Sequence, residues 1–193
     1  AANSMSYWVF TDIFEEPGPR FEPFHGGFGL LNIQGINKPA FYSYRFLNQL
    51  GNIELANNDS ASWACKDSSG NLQVLAWDYT YTLPDSTNNQ QYFIRDLPSE
   101  SKGKLKIRIA NIPAGNYALE VYKVGYRSND AYSTYLSIGK PQQLSKAQVD
   151  QIKKQNDGSP YLKDVVTIKA GEPFLKEVDI RANDVFFLRL VKL

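Results

Sequence analysis

Apolar and polar residues alternate along much of this chain. Leu105, Ile107 and Ile109 are interleaved with Lys106 and Arg108, which points one face inward and one outward. Tyr117, Leu119 and Val121 repeat the alternation after a turn at Ile112-Pro113-Ala114-Gly115. The runs 61–66 and 72–79 flank Asp67-Ser68-Ser69-Gly70, a hairpin signature. Residues 165–169, 175–180 and 185–191 read as three further strands, separated by Ala170-Gly171-Glu172 and Arg181-Ala182-Asn183-Asp184. Two short helices interrupt the pattern. Asp130 caps a turn that runs through Tyr135, and Ser145 with Gln148 forms a capping box leading into residues 147–155. The pattern predicts a mainly β fold: a β-sandwich of about seven to nine strands with short helices, over residues 53–193.

Residues 1–52 read differently. Tyr7-Trp8-Val9-Phe10 has the character of a short buried strand. The stretch from Thr11 to Gly35 is too long for a mere connection, and loops of that length often carry function. A helix then fits residues 38–50, with Asn37 as cap, Pro39 in the first turn and Gly51 as a left-handed C-terminal residue. Phe41, Tyr44, Leu47 and Leu50 recur every third position and predict its buried stripe. Strand, elaborate loop and helix amount to one β/α unit, far short of the roughly 250 residues of a closed eight-fold barrel. One unit cannot make a barrel.

Composition narrows the chemistry. The net charge is +1 and the basic residues are scattered, which argues against nucleic acid as a partner. No apolar run reaches the roughly 20 residues of a membrane span. Ala1 to Ser6 lacks the charged and apolar regions of a signal peptide. An exported protein, periplasmic or secreted, and a cytoplasmic one are both compatible with the sequence. Cys65 is the sole cysteine and His25 the sole histidine, so an internal disulfide is excluded and a zinc site is not expected. Gly26, Gly27 and Gly29 lack the Lys-Ser/Thr that a phosphate cradle needs, and no cofactor is expected. Aromatic residues make up 13%, which suits pleated sheets and also suits stacking on sugar rings. Trp63, Trp77 and Tyr79 are expected to fill the core between sheets; exposed in a row they would form a carbohydrate-binding face.

The stretch Tyr7-Trp8-Val9-Phe10-Thr11-Asp12-Ile13-Phe14-Glu15-Glu16, followed by Pro23-Phe24-His25-Gly26-Gly27-Phe28-Gly29-Leu30 and Lys38-Pro39-Ala40-Phe41, resembles glycoside hydrolase family 39. Residues 74–79, 112–117, 126–132 and 137–141 are similar to that family's accessory strands. The resemblance implies the last strand, loop and helix of an eight-fold barrel followed by a β-sandwich. It implies a parent enzyme of β-xylosidase type that acts on xylo-oligosaccharides or related glycosides with retention. Retention requires two carboxyl groups about 5 Å apart. The family's acid/base and nucleophile glutamates belong to earlier barrel strands and have no counterpart here, so this chain alone is expected to be inactive.

Glu15 and Glu16 are sequence neighbours on an extended segment and point in opposite directions, which makes them a poor catalytic pair. The resemblance implies that Glu16 accepts hydrogen bonds from sugar hydroxyls, and that Trp8 lines the same subsite as a stacking floor. Their bland alternatives are a solvated loop acid and a buried strand residue. Glu15 and Asp12 are weaker substrate-binding candidates or orienters of Glu16, and His25 shapes the loop or bonds to backbone. The missing upstream barrel portion is expected as a partner, and a homo-oligomer is the other way to cover the unit. A non-catalytic carbohydrate-binding or interaction module is the alternative reading of the whole chain.

Overall fold

The computed structural model describes residues 6–13, 18, 20–81, 96 and 98–193. The chain divides into two compact units. The first comprises Ala1–Tyr42, Leu83–Leu97 and Arg127–Asp157; the second comprises Ser43–Thr82, Pro98–Tyr126 and Gly158–Leu193. Eight strands and three α-helices are formed among the described residues, so the chain is mainly β.

The second unit holds all eight strands. They are β1 (Ile53–Glu54), β2 (Ser62–Lys66), β3 (Leu72–Trp77), β4 (Ser101–Ile109), β5 (Gly115–Val124), β6 (Leu162–Ile168), β7 (Phe174–Arg181) and β8 (Val185–Lys192). Six form an antiparallel sheet in the order β1-β2-β3-β8-β5-β6, and β4 pairs with β7 in a second sheet. Period-two alternation gives the larger sheet two distinct faces. Val74, Leu119, Val121, Leu188 and Leu190 on one face join Ile107, Phe174 and Val178 of the smaller sheet in a single apolar cluster. The opposite face carries Phe187 and Tyr122, whose rings lie 5.5 and 5.9 Å from Phe46.

The β2–β3 hairpin forms as the turn residues predict. The Asp67 carboxylate accepts hydrogen bonds from the backbone N–H groups of Ser69 and Asn71 and from the Asn71 and Gln73 side chains, while Gly70 takes φ +82°. The Asn71 side chain contributes most to holding the Asp67 carboxyl below the usual aspartate range.

Two aromatic residues depart from expectation. Trp63 is 43% and Tyr79 is 79% exposed, so neither fills the core. Trp63 shares the Phe187 face by register, but it sits at the rim beside the two-residue β1, away from the ring stack. Tyr79 lies beyond the end of β3, and Trp77 on its last residue is half-buried.

Helix α1 (Pro39–Leu47) is shorter than its predicted span and differs from it in three details. Lys38, not Asn37, occupies the cap position, with its carbonyl accepting from Phe41 N–H. The fully buried row is Tyr42 and Phe46, spaced i, i+4, rather than the three-apart set starting at Phe41. Gly51 does not take a left-handed conformation. Its hydrogen side faces the Lys66 carbonyl and Asp67 nitrogen so closely that a Cβ would lie 2.2–2.5 Å from them.

In the first unit, α2 (Ala131–Ser137) and α3 (Lys146–Gln155) begin at the predicted caps. Asp130 accepts from Ser133 N–H, and Ser145 and Gln148 complete the reciprocal capping box. Ile36, Ala131, Tyr135 and Ile152 form the core of this unit, with Phe24 and Tyr132 packed against it. Tyr42 donates its hydroxyl to the Asn156 carbonyl. No helix among the described residues is long and apolar enough to cross a membrane.

Candidate functional site

The segment Tyr7–Phe10 is not the buried strand that its composition predicts. Tyr7, Trp8 and Phe10 are exposed. Among the described residues only the Leu30–Leu31 backbone runs alongside, joined by Leu30 N–H to Val9 O, Leu31 N–H to Phe10 O and Asp12 N–H to Leu31 O. A strand buried on both faces has neighbours on both edges; among the described residues this one is served on a single edge, and Trp8 and Phe10 are largely exposed.

Asp12 closes the segment. Its side chain is buried, at 1% exposure, and one oxygen accepts both the Gly29 N–H at 2.7 Å and the Lys38 ammonium at 2.8 Å. Lys38 Nζ also reaches the second oxygen at 3.0 Å and donates to the Gly27 carbonyl at 2.8 Å. A buried carboxylate requires such compensation, and a paired cation with a backbone donor supplies it. Gly29 is glycine because of packing: a Cβ there would meet Asp12 N and Thr11 C at 2.4 Å. The predicted loop from Thr11 to Gly35 is therefore tied by one carboxylate near its start to a glycine and a lysine near its end.

A cavity of about 290 Å³ opens over this knot, with Tyr7, Asp12, Phe24, Lys38, Pro39 and Tyr132 among its walls and Gly26, Gly27 and Gly29 along one side. Asp12 and Lys38 neutralise each other, so the walls are largely apolar with tyrosine rings at two positions. Burial pushes the Tyr132 hydroxyl up, with Tyr135, Asp96 and Asp130 adding to the effect, which keeps it protonated at neutral pH. Phe24 packs between Tyr132 and Tyr135, with ring centroids 6.0 and 5.1 Å away, and so couples the loop to α2.

Of the residues singled out from sequence, Asp12 lines this cavity. Trp8, 74% exposed, and His25, half-buried, are not among its walls. Glu15 and Glu16 lie outside the described residues. Tyr7, Lys38 and Tyr132 were not legible as wall residues. Tyr132 had one signal, its i, i+3 spacing with Tyr135 on a capped helix, which predicts a shared face but not what that face meets. No cluster of three or more metal-binding side chains occurs among the described residues.

An exposed tryptophan, a glycine-rich loop tied to the start of a helix and a mainly β second unit together form a combination with known counterparts. The model of glycosyl hydrolases family 39 matches residues 1–170. The chain belongs to that family. Among solved structures of family 39, the enzyme from Xanthomonas axonopodis pv. citri superposes with a TM-score of 0.89 at 36% identity, covering 98% of this chain and 37% of that one. A monomeric β-xylosidase from Caulobacter crescentus CB15 gives a TM-score of 0.89 at 35% identity, covering 98% and 38%. A curated β-xylosidase from Caldicellulosiruptor saccharolyticus is 28% identical over 152 residues, which are 79% of this chain and 29% of the relative. The chain thus spans between a quarter and two fifths of the length of these relatives.

Proposed function

We propose that this chain is the C-terminal portion of a retaining family 39 glycosidase of β-xylosidase type. In this reading residues 1–52 are the terminal β/α unit of its barrel and residues 53–193 an accessory β-sandwich. The chain contributes part of the subsite for the terminal β-xylosyl residue of a xylo-oligosaccharide. Trp8 serves as a stacking floor and Glu16 accepts hydrogen bonds from sugar hydroxyls, while Glu15 and His25 support the loop. Asp12 acts at one remove, since its oxygens are already held by Lys38 and Gly29.

The observation that carries this reading is the 74% exposure of Trp8 in the stretch that the family 39 model matches. The two catalytic glutamates lie in earlier barrel strands of the parent enzyme, and the chain alone does not hydrolyse glycosides. In the parent enzyme, Glu16→Gln lowers kcat/KM on an aryl β-xyloside by roughly 10- to 100-fold, the worth of hydrogen bonds to a charged group. Hydrolysis by the isolated chain, or an unchanged Glu16→Gln enzyme, would overturn the assignment.

A second reading, a carbohydrate-binding module, is supported by the exposure of Trp63, Tyr79 and Tyr81. It predicts that the chain is retained on insoluble xylan and that Trp63→Ala releases it; equal retention of both forms would remove it.

A further inference from the structure

A second cavity in the first unit, about 420 Å³, is lined by Arg20, Phe21, Glu22, Gln142 and Gln143. Its volume falls in the range of small-molecule sites, roughly 300–1,000 Å³. We infer that it is a binding subsite for one neutral pyranose unit of an oligosaccharide, separate from the Trp8 region.

Three observations carry this. First, Phe21 is 75% exposed at the cavity, an aromatic face offered to solvent amid polar neighbours. Such a face suits the C–H-rich side of a sugar ring. Second, among the described residues no hydrogen bond or ion pair ties up the side chains of Arg20, Glu22, Gln142 or Gln143. Arg20 and Glu22 are opposite charges two positions apart, yet they do not pair. Together the four groups offer a guanidinium fork, a carboxylate and two carboxamides, a set of donors and acceptors that matches vicinal hydroxyls. Their charges cancel, which favours a neutral ligand over a uronate or phosphate.

Third, both rims are anchored to the same support. Pro23, next to Glu22, gives its carbonyl to Asn32 Nδ2 at 3.0 Å, and Phe24 packs on Tyr135. Pro141, next to Gln142, gives its carbonyl to the Tyr135 hydroxyl at 2.9 Å. Backbone fixed on both sides before the ligand arrives lowers the cost of binding, while the exposed lining side chains are ordered by the ligand.

The choice of a xylo-oligosaccharide as ligand rests on the glycosidase reading; the cavity and its lining do not. The test is an NMR titration of this chain with xylotetraose. Saturable shifts are expected at the amides of residues 20–22 and 142–143. They persist in Trp8→Ala, and binding weakens by about tenfold or more in Phe21→Ala, the loss typical of truncating a central contact. Phe21 is exposed, so its removal leaves the fold intact. No saturable shift at those amides, or unchanged affinity of Phe21→Ala, overturns the inference. Shifts confined to residues 7–13 and abolished by Trp8→Ala overturn it too, while leaving the glycosidase reading standing. Failure of that reading is read separately, from the kinetics of Glu16→Gln in the parent enzyme.

Discussion

Asp12 and Lys38 sit 26 positions apart, and their contact holds the ends of the glycine-rich loop together. Lys38 keeps some contact with solvent, whereas Asp12 has almost none. Removing the cation therefore strands a buried charge, the situation in which breaking an ion pair is most costly. Lys38→Met is expected to lower stability by about 3 kcal/mol in urea denaturation, and the double variant Asp12→Asn/Lys38→Met to regain a good part of it. Equal losses in both variants would show that packing, not charge, holds the knot. Asp67 offers a contrast at the protein surface. Hydrogen bonds, led by that from the Asn71 side chain, depress its pKa in the folded chain. Its contribution is thus complete above the unfolded aspartate pKa and is lost as pH falls through the lowered value. The amide resonances of Ser69 and Asn71 are expected to titrate below the usual aspartate range; a normal midpoint would contradict the network.

At the scale of elements, Phe46 ties the C-terminal half of α1 to the larger sheet. Phe46 is fully buried and lies nearly parallel to Phe187, at an interplanar angle of 13°. Phe46→Ala is expected to cost about 3–5 kcal/mol by thermal or chemical denaturation, through lost transfer energy and the cavity left behind. Phe41→Ala, at a half-buried position, should cost clearly less. This is also where sequence and structure part company. Local signals such as the Asp130 and Ser145 caps, the Asp67 turn and the alternation through Tyr117, Leu119 and Val121 were legible, because each is decided by near neighbours. The burial of Tyr42 and Phe46 instead of Phe41 and Tyr44 was not, because a helix row is chosen by what lies opposite it. Trp63 shows the same limit: it was expected between the sheets, whereas the strand register puts it on the opposite, Phe187 face, at a rim that leaves it exposed. The loop from Thr11 to Gly35 divides likewise. Its residues were legible as a motif, whereas the pairing of Asp12 with Lys38 depends on a fold-back that no local pattern specifies.

For the whole molecule, exposed apolar residues concentrate near one end of the chain. Trp8, Phe10, Ile13, Phe21 and Phe28 are each more than half exposed, and all precede residue 30. Exposed large apolar side chains favour association with another protein surface. Light scattering with size-exclusion chromatography is expected to show concentration-dependent self-association of this chain, reduced in a Trp8→Ser/Phe10→Ser variant. A monomer at all concentrations would contradict it. The Asp12 knot has a further consequence. Because a single carboxylate closes the ends of the stretch from residue 13 to residue 28, the entropy cost of that closure depends only weakly on the stretch's length. Doubling a pinned loop costs only about 0.6 kcal/mol in closure entropy. An insertion ahead of Pro23 and Phe24, which pack on Asn32 and Tyr135, is therefore expected to cost little stability, and it gives a designer a place to graft a new recognition segment.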